Sequence, residues 1–202
     1  MLTLYHSPQT RSTRIVRLLI ELDVLDQVDI RIVGIRRHDG SGGADPSNPH
    51  PEGKGPLLVH DGVEIWESNA IILYLTDLFA AKRLGRPIGD KDRGSYLSWL
   101  AWYGNIVEPV LVFTAAGLSH PYLDATFRGA PEVAARLTAQ LEKTPFLMGS
   151  EFSAADLLLV SPYTWMPQAT PDVEVVRDWI ERCESRPSAR QALEFDQAHM
   201  PG

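Results

Sequence analysis

Two short segments carry residue types that could do chemistry. One is Glu67-Ser68, which stands just before a stretch with helical apolar spacing. A serine there is expected to cap the helix, and the unpaired N–H groups and dipole of a helix N-terminus attract negative charge. The other is HSPQTRSTR, residues 6–14, which leads from a short apolar run into a second helical stretch. It offers the hydroxyls of Ser7, Thr10, Ser12 and Thr13 and contains neither tyrosine nor cysteine. Other chemistries find no support. The six histidines show no metal-ligand spacing, and there is no zinc motif, Walker loop or glycine-rich dinucleotide fingerprint. The single cysteine, Cys183, cannot form an internal disulfide and suits a reducing compartment.

The elements that must position these segments follow from periodicity. Leu2 to Tyr5 is an apolar run stopped by His6-Ser7-Pro8, which predicts a strand. From Ser12 the spacing becomes helical, with Ile15, Leu18, Leu19 and Leu22 at i, i+3, i+4 and i+7. Val28 to Val33 predicts a second strand, and the Gly/Ser/Pro/Asp-rich stretch 39–55 a loop. Leu57–His60 and Val63–Trp66 flank Asp61-Gly62, a strong hairpin signal because both turn positions need positive φ. A helix over Asn69–Phe79 follows at once. The first eighty residues therefore read β-α-β, long loop, β-β-α.

Near residues 82–92 the composition turns polar, which places a linker at 82–89 between domains at 1–81 and 90–202. The rest is helical in pattern: a long helix over 90–116, kinked by Pro109, then helices near 130–143, from Ser153, near Asp172, and a short one at the end. In EFSAADLLL, Ser153 and Asp156 have capping-box spacing, with Phe152 and Leu157 placed as a hydrophobic staple. The chain has 202 residues, 44% of them apolar and 22% charged, as expected for a globular protein. A net charge of −7 argues against nucleic acid as a partner. No apolar run approaches the roughly 20 residues of a membrane span, and no leader is evident, so the expectation is a cytoplasmic protein without membrane contact.

In order and spacing these features resemble the glutathione transferase superfamily over nearly the whole chain. The resemblance implies an α/β thioredoxin-like N-terminal domain (βαβ-ββα) plus an all-α C-terminal domain. It implies a cis bond at Gly55-Pro56, presenting the Gly55 N–H and C=O to the cysteine backbone of glutathione. The family usually has a bulkier aliphatic residue at Gly55 and a shorter loop than NPHPEGKGP at 48–56. Ser68 is implied to hold the γ-glutamyl carboxylate by its hydroxyl and N–H, and Glu67 to face the α-ammonium. Lys54 and Arg11 join the implied substrate-binding set, Arg11 by adding positive charge near the thiolate or the carboxylates.

The family places its thiol-activating group in the turn at 6–14. A free thiol has a pKa near 8.5, and lowering it by about two units stabilises the anion by about 2.7 kcal/mol. A hydroxyl at a helix N-terminus supplies much of that. Matching back from Arg14 selects Thr10, whereas matching forward from Pro8 selects Ser12; Ser7 is a third choice, and all three also read as helix caps.

The resemblance also implies an electrophile site against the long second-domain helix, with Tyr103 and Trp165 among its aromatic residues. The stripe Tyr96, Trp99, Tyr103, Ile106, Val110 and Phe113 reads equally as core or as a dimer face. The implied function is transfer of glutathione, a co-substrate used without a metal, to a small hydrophobic electrophile by a homodimer. The alternatives are a non-catalytic binding protein or a related peroxidase, dehalogenase or isomerase.

Overall fold

Apolar residues at the two central strands and one face of each flanking helix build the first unit. β1 (Leu2–His6) pairs in parallel with β2 (Asp29–Ile32) and antiparallel with β3 (Leu57–His60), which pairs antiparallel with β4 (Val63–Trp66). The sheet order is β2-β1-β3-β4, so the better-buried strands β1 and β3 are central and the exposed β2 and β4 are edges. The hairpin forms as expected, with φ of 50° at Asp61 and 83° at Gly62. Helix α1 (Thr13–Glu21) and helix α2 (Ser68–Leu78) supply the remaining core, and the predicted face of α1, Ile15, Leu18, Leu19 and Leu22, is fully buried.

The computed structural model describes residues 1–200 and divides into two units. Unit 1 takes Met1–Lys82 and then the C-terminal segment from Arg186; unit 2 is Arg83–Ser185. The C-terminal helix, α9 (Pro187–Ala198), therefore departs from the expected domain 90–202: it packs on α1. Glu21 explains the attachment at one end of α1, because its carboxylate accepts two hydrogen bonds of 2.7 Å from Arg186 and one from Ser188. Residues 201 and 202 of that expected domain lie outside the described residues.

Unit 2 is helical, as expected. Its long helix is divided in two, α3 (Arg93–Trp102) and α4 (Glu108–Ala115), joined by a π turn at Tyr103–Val107. The wider turn lies directly before Pro109, so the missing proline N–H falls in the first turn of α4, where it costs least. A short helix, α5 (Pro121–Phe127), was not anticipated; α6 (Ala130–Leu141), α7 (Ala154–Trp165) and α8 (Glu174–Glu184) lie near their expected positions. The capping box forms at Ser153. Asp156 accepts from the Ser153 N–H, the Ser153 hydroxyl, the Leu147 N–H and Trp179 Nε1, at 2.7–3.0 Å, in a fully buried position. Its burial pushes the carboxyl upward, and the four donors oppose that shift.

Candidate functional site

Strand register brings the chemistry-bearing segments of unit 1 to one end of the sheet. Tyr5 pairs with Leu57, so the turn after β1 lies beside Gly55-Pro56. Leu57 also pairs with Trp66, so Glu67-Ser68 follow at the same end. Because β2 runs parallel to β1, the segment after Ile32 arrives there as well. Thus Thr10, Arg11, Ser12, Lys54, Gly55, Pro56, Glu67 and Ser68 belong to segments that share one end of the sheet.

The Gly55–Pro56 bond is cis, and a Cβ built on Gly55 would meet nothing within 4 Å. The loop before it is shaped by side-chain turns. Asp45 accepts from the Gly34 and Ser47 N–H groups, and Asn48 donates to the Lys54 carbonyl at 2.9 Å. Lys54 itself is exposed and pairs with Glu52. Glu67 is exposed and adopts a φ of 70°, a conformation that costs a side-chain-bearing residue about 1–3 kcal/mol and tends to occur where a ligand is held. Ser68 was expected as the cap of α2. It is instead the first helical residue, buried at 7% exposure, and Glu67 holds the cap position without a side-chain cap bond. The helix N-terminus and the Ser68 hydroxyl thus lie together beside Glu67.

The turn at 7–12 separates the two favoured hydroxyls. Thr10 is partly exposed; its hydroxyl donates to the Ser7 carbonyl at 2.7 Å and accepts the Ser12 N–H at 3.1 Å. Ser12 is fully buried and its hydroxyl lies 2.6 Å from His6 Nδ1. His6 Nε2 in turn lies 3.0 Å from Asp196 Oδ1, on α9. Burial would push the Asp196 carboxyl up, but hydrogen bonds from His6, Thr13 and the Gln9 N–H hold it below the usual carboxylate range. An ionised Asp196 can only accept, so His6 Nε2–H donates to it, and in that tautomer Nδ1 accepts from the Ser12 hydroxyl. The residue types are those of a hydrolytic triad, yet Ser12 and His6 are both at 0% exposure, so no substrate reaches the hydroxyl. Ser7 is also buried, and Arg11 is exposed.

In unit 2, Tyr103 is buried at 1% exposure within the π turn, while Trp165 at the end of α7 is 45% exposed. Tyr96, Trp99 and Val110 of the aromatic stripe are buried as well, so most of that stripe is core. Arg136 stacks over Trp99 and Trp102, with its guanidinium 5.4 and 5.2 Å from the ring centroids. His6, Asp196 and Arg37 were not singled out by the sequence. Nothing local to Asp196 signals that it reaches residues nearly two hundred positions earlier.

A four-stranded mixed sheet with its helices, a cis-proline leading into a central strand and a separate helical unit define a glutathione transferase-type protein. The chain belongs to the glutathione S-transferase superfamily: residues 1–77 match the glutathione S-transferase N-terminal domain and residues 109–187 its C-terminal domain. It is 25% identical to glutathione S-transferase GstB of Escherichia coli K12, over 96% of this chain and 98% of that protein. It is 28% identical to the disulfide-bond oxidoreductase YfcG of the same organism, over 96% and 94% of the two chains. A glutathione S-transferase structure from Actinobacillus pleuropneumoniae aligns with a TM-score of 0.78 at 23% identity, covering 100% of this chain and 97% of that one. Among the described residues, no helix is long and apolar enough to cross a membrane.

Proposed function

We propose that the protein binds reduced glutathione at this end of the sheet in unit 1, stabilises its thiolate and directs it onto a small hydrophobic electrophile. The observation that carries this reading is the convergence of the turn 7–12, Gly55-Pro56 and Glu67-Ser68 at one end of the sheet. Gly55 would pair its backbone with the tripeptide, while the N-terminus of α2 and the Ser68 hydroxyl would take the γ-glutamyl carboxylate, with Glu67 facing the ammonium. Lys54 and Arg11 would complement the remaining charge. Thr10 is assigned the thiolate because its partial exposure suits a ligand contact, whereas Ser12 is sealed against His6; to serve, the Thr10 hydroxyl would turn the hydrogen it gives to the Ser7 carbonyl toward the sulfur. In the reaction the thiol loses its proton to solvent, the sulfur lone pair forms a bond to the electrophilic carbon, and any leaving group departs with the bonding electrons. The protein is proposed to act as a homodimer, giving twice 22.5 kDa by light scattering.

The test is retention on immobilised glutathione with elution by the free tripeptide, followed by calorimetry of Ser68→Ala. Loss of a hydrogen bond to a charged group should weaken binding by about 1.5–3 kcal/mol. An unchanged dissociation constant refutes the Ser68 assignment. The resemblance to a disulfide-bond oxidoreductase favours a second reaction at the same site. There the bound thiolate attacks a disulfide sulfur, forms a mixed disulfide and expels the other thiolate. Cys183 is buried, so glutathione supplies the attacking sulfur. Assays with an activated aryl halide and with a small organic disulfide separate the two.

A further inference from the structure

The turn carrying Thr10 is gripped from outside its own segment. Gln9, at its apex, has a φ of 54°, a left-handed conformation that costs a residue with a Cβ about 1–2 kcal/mol. Both sides of this residue are tied down. Its N–H donates to Asp196 Oδ2 at 2.5 Å, and its carbonyl accepts from Arg37 Nη1 at 3.2 Å. Arg37 also donates from Nη2 to the Pro8 carbonyl at 2.8 Å. The same Asp196 oxygen takes the Thr13 hydroxyl at 2.6 Å, in the first turn of α1, while Asp196 Oδ1 faces His6 at the end of β1. One carboxylate from the last helix therefore links the strand, the turn and the helix on either side of Thr10, and it is 1% exposed. Conformational cost at Gln9 persists only where the surroundings over-determine it.

Resting on the glutathione reading above, we infer that Asp196 is a positioning residue for the thiol-activating turn: its carboxylate, with Arg37 opposite, holds Gln9 in the left-handed conformation that aims Thr10 at the sulfur. Asp196 touches no substrate. It acts through Oδ2, which accepts both the Gln9 N–H and the Thr13 hydroxyl, while Oδ1 accepts from His6.

The experiment compares Asp196→Asn, Arg37→Gln and Glu21→Gln with the unchanged protein. Glu21→Gln is the control, since it loosens α9 at the far end of α1 without touching the turn. The readouts are the ultraviolet thiolate absorbance of bound glutathione against pH, and kcat and KM with an activated aryl halide. Asp196→Asn removes the charge and turns one acceptor oxygen into a donor, which sets an NH2 either against the Gln9 N–H and Thr13 hydroxyl or against His6 Nε2, and weakens the charge-assisted grip on the turn in both cases. It should raise the apparent pKa of bound thiol and lower kcat near neutral pH by about tenfold to a hundredfold, with a smaller change in KM for glutathione. Arg37→Gln, at a half-buried site that leaves the core intact, should shift the titration in the same direction. Glu21→Gln should lower the melting temperature and leave the titration in place. If Asp196→Asn and Arg37→Gln titrate like the unchanged protein, or if Glu21→Gln shifts the titration equally, Asp196 is a stability residue only and the inference falls. If the unchanged protein shows no thiolate band with glutathione, the functional reading itself fails and takes the inference with it.

Discussion

Thr10 and Ser12 stand two residues apart yet meet different surroundings, and that difference decides what each substitution does. Thr10→Ala removes a part-exposed hydroxyl from a helix N-terminus. It should raise the pKa of bound glutathione and cost more turnover at about pH 6.5 than at about pH 9, where the thiol ionises unaided. Ser12→Ala instead strands His6 Nδ1 in a sealed site. Leaving a buried polar atom unpaired costs about 1–3 kcal/mol, so its effect should appear in denaturant unfolding and not in the thiol titration. A shift on Ser12→Ala and none on Thr10→Ala reverses the assignment. The sequence marked both hydroxyls, since residue types in a turn before a helix are local information. It could not rank them, because Ser12 is held by His6, and His6 by a carboxylate that lies 184 positions beyond Ser12 in the chain.

At the scale of the element, local rules succeeded where the cause was local. Asp61-Gly62 gave a hairpin with the positive φ its residues favour, and Ser153 with Asp156 gave a capping box. The prolines show where neighbours intervene. Pro109 stands in the first turn of α4, where the long helix is divided by a π turn and the missing N–H costs least. Pro162 lies inside α7 and cannot donate to the Leu158 carbonyl; the Ser161 hydroxyl does so at 2.8 Å. The aromatic stripe along α3 and the π turn was legible as a stripe, but only packing revealed that Tyr96 and Tyr103 are core. Two expectations belong here. Ser153→Ala should cost about 1 kcal/mol, a melting-temperature fall of about 2–4 °C for a chain of this size. Asp156→Ala should be much worse, at least about 3 kcal/mol, because it leaves the donors on Ser153, Leu147 and Trp179 unsatisfied in the core. Equal melting temperatures for the two variants would contradict that ranking.

For the whole molecule, the membership of α9 in the first unit is the arrangement that no window of sequence discloses, since its attachments are Glu21 to Arg186 and Ser188, and Asp196 to residues 6, 9 and 13. Both carboxylates carry a pH signature. Burial acts to raise Glu21, but hydrogen bonds from Arg186 and Ser188 and the charges of Arg186 and Arg17 outweigh it, and hydrogen bonds lower Asp196 against its own burial. A carboxyl depressed in the folded state contributes stability above its unfolded pKa of about 4, and that stability is lost as pH falls through the folded value. Unfolding by urea should therefore become easier on acidification below about pH 4, and Glu21→Gln combined with Asp196→Asn should flatten that dependence. An unchanged acid slope in the double variant would count against the two carboxylates as its source. The placement of α9 also bears on synthesis. The strands and α1 leave the ribosome first, but the helix that covers α1 and grips its turn follows about a hundred residues later. At roughly 5–20 residues per second, the amino-terminal unit waits about 5–20 s with that face bare, until the codons for α9 let it close. A message cut short anywhere before them yields a chain whose first half was made in full and still cannot be completed.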